Sequence, residues 1–298
     1  MRFKSAFRLA GLAAAATAGF AHAGVFTATG PDAASILSTV NSFRDALGAN
    51  NGLGACAGAC LPGVGRREVN WDAVPDGFSD PNAFPGNFFN QAAGAPAGRV
   101  RGIQFNTVGG FRVSADADSD GDGSPGPATP LFGDLHGDNP NQFAAFSAER
   151  IFGIVHSNEM DVTFSQPGTP GTPALVRGFG AVFTDVEIPG ITRMDFYGAD
   201  GTTLLASLAP PVHPLGTAPD TYKSFSFAGY VFDAPVVGRV HVVVGDLDLL
   251  RNPFPTPGMD AVAMDDFIYG EPAPVPEPET MALMGAGLAA IGLRRRRR

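Results

Sequence analysis

The stretch Arg193-Met-Asp-Phe-Tyr-Gly-Ala-Asp-Gly-Thr-Thr-Leu-Leu-Ala-Ser-Leu208 decides the class of fold. Its first five residues partly alternate polar and apolar side chains, as a strand with one buried face does. Gly198-Ala-Asp-Gly201 is a turn of the kind that joins hairpin strands, and a second apolar run over 203–208 follows it. Arg239-Val-His-Val-Val-Val244 repeats the alternation. Working outward, short runs rich in Val, Ile and Phe are set apart by Gly, Pro, Asn and Asp. They predict strands at 67–73, 99–106, 110–115, 143–155, 160–165, 178–187, 191–197, 203–208, 223–232, 236–244 and 261–269. The 24 phenylalanines supply a large core. The pattern predicts a mainly β protein, an antiparallel β-sandwich of the jelly-roll kind.

One helix is expected upstream, over 31–48. Asp32 can cap it after Pro31, Ile36, Leu37, Val40, Phe43 and Leu47 recur at helical spacing, and Gly48 can end it. A Gly/Ala/Asn loop over 49–65 holds the only two cysteines, Cys56 and Cys60. In an exported chain such a pair can close a small disulfide loop, which contributes little to global stability because it is short. Free thiols are the other reading, and no second pair or nearby histidine supports zinc. The stretches 116–130 (Asp/Gly/Pro) and 166–174 (Pro/Gly/Thr) read as loops.

Both ends carry addresses. Arg2, Lys4 and Arg8 precede an apolar run from Leu9 to Phe20, and Ala21-His22-Ala23 is a small-x-small cleavage site. Residues 1–23 therefore read as a secretory signal peptide cut after Ala23. At the other end a Pro-rich flank leads into the apolar run Met281–Leu293 and five arginines, Arg294 to Arg298. Thirteen residues of helix rise ~20 Å, against a bilayer core of ~30 Å. The expectation is a transient membrane contact through this C-terminal helix, with the arginines on the cytoplasmic side. The tail resembles a PEP-CTERM sorting signal, with Pro276, Glu277 and Pro278 as its motif. That resemblance implies a Gram-negative envelope protein processed by a membrane transpeptidase of the exosortase type. An ordinary tail anchor is the alternative. Residues 24–273 remain as one β-sandwich domain, followed by the sorting signal at 274–298.

The formal net charge of −9 understates the acidity of the exported part. Of 20 basic residues, three lie in 1–23 and five in the arginine tail, which leaves twelve against 29 acids, a balance of −17 over 24–293. Such a surface argues against nucleic acid and against direct binding to anionic lipid. Divalent cations and neutral polymers suit it better.

The middle of the chain is similar to a group of secreted bacterial proteins of unknown function, many with PEP-CTERM tails. The likeness rests on Arg66-Arg-Glu-Val-Asn-Trp-Asp-Ala-Val-Pro-Asp76, Asn87-Phe-Phe-Asn90, Gly178-Phe-Gly-Ala-Val-Phe-Thr-Asp185 and Met264-Asp-Asp-Phe-Ile-Tyr-Gly270. It spans roughly 40–270 and implies a single lectin-like sandwich, with no activity assigned. Ala261-Val-Ala-Met-Asp-Asp-Phe267 also resembles the closing strand of some extracellular jelly-roll modules, where an acid at this place can help hold a structural calcium.

The sharpest local signal for chemistry is Asp116-Ala-Asp118-Ser-Asp120-Gly121-Asp122. Alternate carboxylates on a tight turn can converge on calcium, which takes six to eight oxygens. The bidentate glutamate of an EF-hand is missing, with Pro127 or Thr129 in its place, so the site would be weak and structural. A solvated acidic loop is the alternative. Asp260, Asp265 and Asp266 form a second acidic group, in which strand alternation puts Asp265 and Asp266 on opposite faces. His136, His156, His213 and His241 show no metal spacing, and His241 reads as a satisfied partner in a Val-rich strand. Neither a nucleophile elbow nor a P-loop is present. Glu68 with Asp72, or Glu149 with Glu159, are the acid pairs a glycosidase would need. Trp71 reads as core. No catalytic residue is assigned. The expected function is a non-enzymatic surface or matrix protein associated with exopolysaccharide. A calcium-dependent carbohydrate-binding module and a secreted hydrolase are the alternatives.

Overall fold

A computed structural model describes residues 24–52, 60–116, 128–213, 223–251 and 258–275. Two antiparallel sheets face each other. The first runs in the order β1 (Gly24–Gly30), β11 (Phe225–Val231), β8 (Gly178–Thr184), β13 (Ala263–Gly270), β5 (Phe152–Val155) and β4 (Gly110–Val113), and β2 (Arg66–Val69) also pairs with β13. The second runs β10 (Leu204–Leu208), β9 (Arg193–Tyr197), β12 (Arg239–Val243), β6 (Glu159–Phe164) and β3 (Ile103–Asn106). A two-residue pair, β7 (Ala174–Leu175) with β14 (Ala273–Pro274), lies at the start of the Pro-rich flank.

The opening stretch is a hairpin, as its alternation predicts. Asp200 builds the turn between β9 and β10, accepting from Thr202 N (3.0 Å), Thr203 N (2.8 Å) and Thr203 Oγ1 (2.6 Å). Those donors hold its carboxyl well below the ordinary range.

The two sheets differ in what covers them. Phe179, Phe183, Met264, Phe267 and Tyr269 of the first sheet pack against Phe105, Met160, Phe164, Phe196 and Val240 of the second. Trp71 is 1% exposed, as expected of a core residue, stacks on Phe152 at 4.2 Å and meets Phe84, Phe89 and Phe267 edge-on. The outer side of the first sheet carries α1 (Ala33–Leu47), which docks Ile36, Val40, Phe43 and Leu47 onto Val182, Phe227, Val231 and Ile268. Each such burial contributes about 1.5–3 kcal/mol. Phe43 needs a hollow, and two glycines supply it. A Cβ at Gly229 would come within 2.7 Å of its ring, and one at Gly180 within 2.9 Å. Asp32 caps the helix through Ser35 N at 2.8 Å. Leu37, counted in the apolar stripe, is instead 42% exposed. With both faces covered, β8 and β13 are buried along their whole length.

Two sequence expectations fail on this side of the sheet. The strand expected over 143–155 is a strand only from Phe152. The preceding loop crosses the outer side of the first sheet, where carboxylates satisfy its backbone N–H groups. Phe146 N and Ser147 N donate to Asp265 Oδ2 at 2.6 and 3.2 Å, and Glu149 N and Arg150 N to Asp72 Oδ1 at 3.2 and 3.3 Å. Asp265 and Asp266, expected on opposite faces, lie on the same one. A β-bulge between Met264 and Phe267 sets both residues against one partner position, because Met264 pairs Phe183 and Phe267 pairs Ala181. Met264 and Phe267 thus both reach the core, while Asp265 and Asp266 both turn outward under the loop. Neither faces solvent. Asp266 accepts from Ser147 Oγ at 2.9 Å and from Arg44 of α1 at 2.8 Å.

A buried ion pair closes the end of β13. Arg67 is fully buried and meets Glu271 with two bonds, Nε to Oε2 at 2.8 Å and Nη2 to Oε1 at 3.0 Å. Asn51 Nδ2 also donates to Glu271, at 2.9 Å.

Candidate functional site

The outer face of the second sheet is the open one. Burial alternates along β6 and β9 as in an antiparallel sheet with one wet side. Register aligns its outward residues into rows. Asn106 on β3 lies opposite Asp161 on β6, which lies opposite His241 on β12, opposite Asp195 on β9, opposite Ser207 on β10. The next row places Gln104, Thr163, Arg239 and Tyr197 side by side.

The groups in these rows are held by one another. His241 Nδ1 is 3.0 Å from Asp161 Oδ1, and Arg239 Nη1 donates to the same oxygen at 2.7 Å. Ser207 Oγ donates to Asp195 at 2.5 Å, and Arg193 lies 3.2 Å from Asp195. The Arg239 guanidinium sits 4.0 Å over the Tyr197 ring. At one end the rows open into a cleft of about 340 Å³ lined by Asn106, Thr107, Val108, Glu159, Asp161 and His241. Val108 on its rim is 99% exposed, so an apolar side chain stands free beside a polar trough. The face thus offers amide, hydroxyl, carboxylate and imidazole groups around a cation-backed aromatic ring.

His241 is a satisfied partner, as its sequence context suggests, but it is satisfied on the outward face. A second cleft, of about 270 Å³, lies beside Trp71 among Val74, Phe88, Phe89, Arg99 and Arg101. It is mostly apolar. Its guanidiniums stack on its own rings, Arg99 over Phe78 and Phe88 at 4.6 and 4.4 Å and Arg101 over Phe89 at 5.0 Å.

The other predicted residues fall as follows. Asp116 is buried and lies 3.0 Å from Arg150, which also holds Asp76 at 2.7 Å. Asp118, Asp120 and Asp122 lie outside the described residues, as do Ala21, Ala23, Pro276, Glu277, Pro278 and the apolar run 281–293. Cys60 is disulfide-bonded. The chain's other cysteine, Cys56, is outside the described residues. The acid pairs are not brought face to face. Glu68 bonds Arg44 and Arg66, while Asp72 caps the 149–150 backbone. Glu149 lies on the loop over the first sheet, and Glu159 lies at the head of β6 in the second. Among the described residues no three His, Cys, Asp or Glu side chains form a ready metal set, and no helix is long and apolar enough to cross a membrane.

No curated protein matches the chain. Among solved structures it is similar to a β-1,3-glucan-binding CBM6 from Bacillus halodurans, at 15% identity over 56% of this chain and 90% of that one, with a TM-score of 0.26. A superposition that loose says nothing of ligand or activity. The tail is specific: residues 274–297 match the PEP-CTERM protein-sorting motif. The chain is an exported protein that carries a PEP-CTERM signal for exosortase processing and sorting at the cell surface.

Proposed function

We propose that this is a non-enzymatic surface or matrix protein that holds a neutral, hydroxyl-rich polysaccharide on the outer face of its five-stranded sheet. The observation that carries the reading is the row Asn106, Asp161, His241, Asp195 and Ser207, aligned by register on the open sheet face beside Tyr197. Sugar hydroxyls both donate and accept, which suits carboxylates and amides fixed in advance. The C–H face of a sugar ring suits an aromatic platform such as Tyr197. The balance of −17 repels acidic polymers, which selects for neutral ones.

The test is affinity electrophoresis and calorimetry of the exported protein against neutral glucans and an acidic polysaccharide. Retardation by a neutral glucan, reduced tenfold or more by Tyr197→Ala and by Asp161→Ala without loss of melting temperature, is the expected result. Equal binding by both variants would sink the site. Release of reducing ends from the polymer would move the protein to the hydrolases.

A further inference from the structure

We propose that the cleft beside Trp71 binds a small aromatic monocarboxylate, its ring among the cleft's own rings and its carboxylate on Arg99 and Arg101. The cleft shares no lining residue with the one at the end of the polar rows, so this would be a second and separate binding site.

Two cations stand here without counterions. Over 24–293 the charge balance is −17, and arginines elsewhere are answered by acids. Arg44, Arg67, Arg150 and Arg239 each meet a carboxylate at 2.7 or 2.8 Å. No Asp or Glu lines this cleft. Among the described residues none forms an ion pair with Arg99 or Arg101. Glu68 acts on Arg101 through its charge, but its two carboxylate oxygens are taken by Arg44 and Arg66.

Both guanidiniums are set in place with donors to spare. Arg99 lies over Phe88 at 4.4 Å and Arg101 over Phe89 at 5.0 Å, and the two rings meet at 4.9 Å. Stacking covers the flat faces and leaves the N–H edges for a ligand. Arg101 is 8% exposed. Its Nε donates to Gly98 O at 2.9 Å and its Nη1 to Glu68 O, while its Nη2 donates to no group among the described residues. The Arg99 guanidinium donates to none of them either. Burial draws the Arg101 guanidinium below its ordinary range, and a bound anion would offset that cost. The indole N–H of Trp71, which also lines the cleft, is buried without an acceptor.

The chemistry of the ligand follows from the walls. Trp71, Phe88, Phe89, Pro75 and Pro96 present flat apolar rings, which suit a planar apolar body. A volume of about 270 Å³ has room for a single ring with a short acid arm. A planar carboxylate matches the guanidinium fork and carries one charge. A phosphate carries more charge into a mostly apolar cleft, and the field of an acidic chain opposes it.

The experiment titrates the full exported protein with sodium phenylacetate, and in parallel with phenylacetamide and hexanoate. Binding is followed by calorimetry and by the fluorescence of Trp71, the only tryptophan and part of the cleft wall. The expected result is one phenylacetate per chain, with a Kd of about 0.1–1 mM. Phenylacetamide, which lacks the charge, should bind about tenfold more weakly or worse. Hexanoate, which lacks the ring, should bind about threefold more weakly or worse. Arg99→Met and Arg101→Met should each weaken phenylacetate about tenfold. If Arg101→Met fails to fold, Arg99→Met, at a half-buried position, decides the matter alone. Tyr197→Ala, on the sheet face proposed for polysaccharide, should leave the Kd unchanged. Equal affinity for phenylacetamide or hexanoate, full affinity in Arg99→Met, a loss in Tyr197→Ala, or the absence of a saturable signal overturns the site.

Discussion

Replacing Arg67 by Met tests how β13 is held at its end. Arg67 is fully buried and Glu271 is 2% exposed, so the pair sits in a medium of low polarity with two direct bonds between them. Removing one partner strands the other charge. Arg67→Met leaves the Glu271 carboxylate with the Asn51 amide still donating, and a loss of about 3–5 kcal/mol is the usual result of breaking such a pair. For a domain of this size 1 kcal/mol moves Tm by about 2–4 °C, so Tm should fall by about 6–20 °C. Glu271→Gln should cost a similar amount, because it strands the guanidinium. The double variant Arg67→Met/Glu271→Gln should recover at least half of the summed losses, since neither charge of the pair is left without the other. Trp71 is the only tryptophan and is buried in the main core, so its fluorescence in urea reports the transition. A single Arg67→Met loss below ~1 kcal/mol, or a double variant equal to the sum of the singles, would refute the coupling argued here.

Two further outcomes follow from packing and charge. Gly229→Ala should destabilise by about 1–3 kcal/mol in urea unfolding, because its Cβ would lie 2.7 Å from the Phe43 ring and lift α1 from the sheet; an unchanged midpoint would show that the helix can yield. Stability should fall as pH rises from about 4 to about 8. Burial pushes Asp72 up to about 6, and burial together with the neighbouring Asp134 pushes Asp80 up to about 8 despite Arg112. A folded-state pKa above the unfolded one means that the native state holds the extra proton, so stability is lost through about 4–6 for Asp72 and 4–8 for Asp80. Asp32 and Asp200, held low by their donors, act only below about 4. A Tm that rises between pH 5 and 8 would contradict this sign.

Strands that face water on one side are legible because alternation marks them. β9 and β12 read directly from Arg193–Tyr197 and Arg239–Val243. β8 and β13 read as apolar runs because α1 and the 143–151 loop cover their second face. The loop itself misleads. Its Phe143, Ala144, Ala145 and Phe146 look like a strand, but its backbone partners are Asp265 and Asp72, far away in sequence and of a type that no strand pattern anticipates. The bulge at Asp265–Asp266 is likewise a property of pairing with β8. β1 escapes notice because Gly24–Gly30 is an edge strand of small and hydroxyl residues beside the expected cleavage point. The candidate site was present only in pieces. Each outward polar residue of β6, β9 and β12 is visible as an interruption of an apolar run, but the row from Asn106 to Ser207 exists only after five strands take register.

The central position of β13 bears on how the fold would answer a pull from its C-terminal side. The sorting motif begins at residue 274, a few residues beyond this strand. β13 is paired along one edge with β8 and along the other with β2 and β5. Antiparallel ladder bonds lie across the strand, so tension drawn along β13 loads many of them together in shear instead of opening them one by one. An edge strand such as β1, paired on one side only, would detach at lower force. A pull from residue 274 would therefore load a strand paired on both sides, with the Arg67–Glu271 pair at its end.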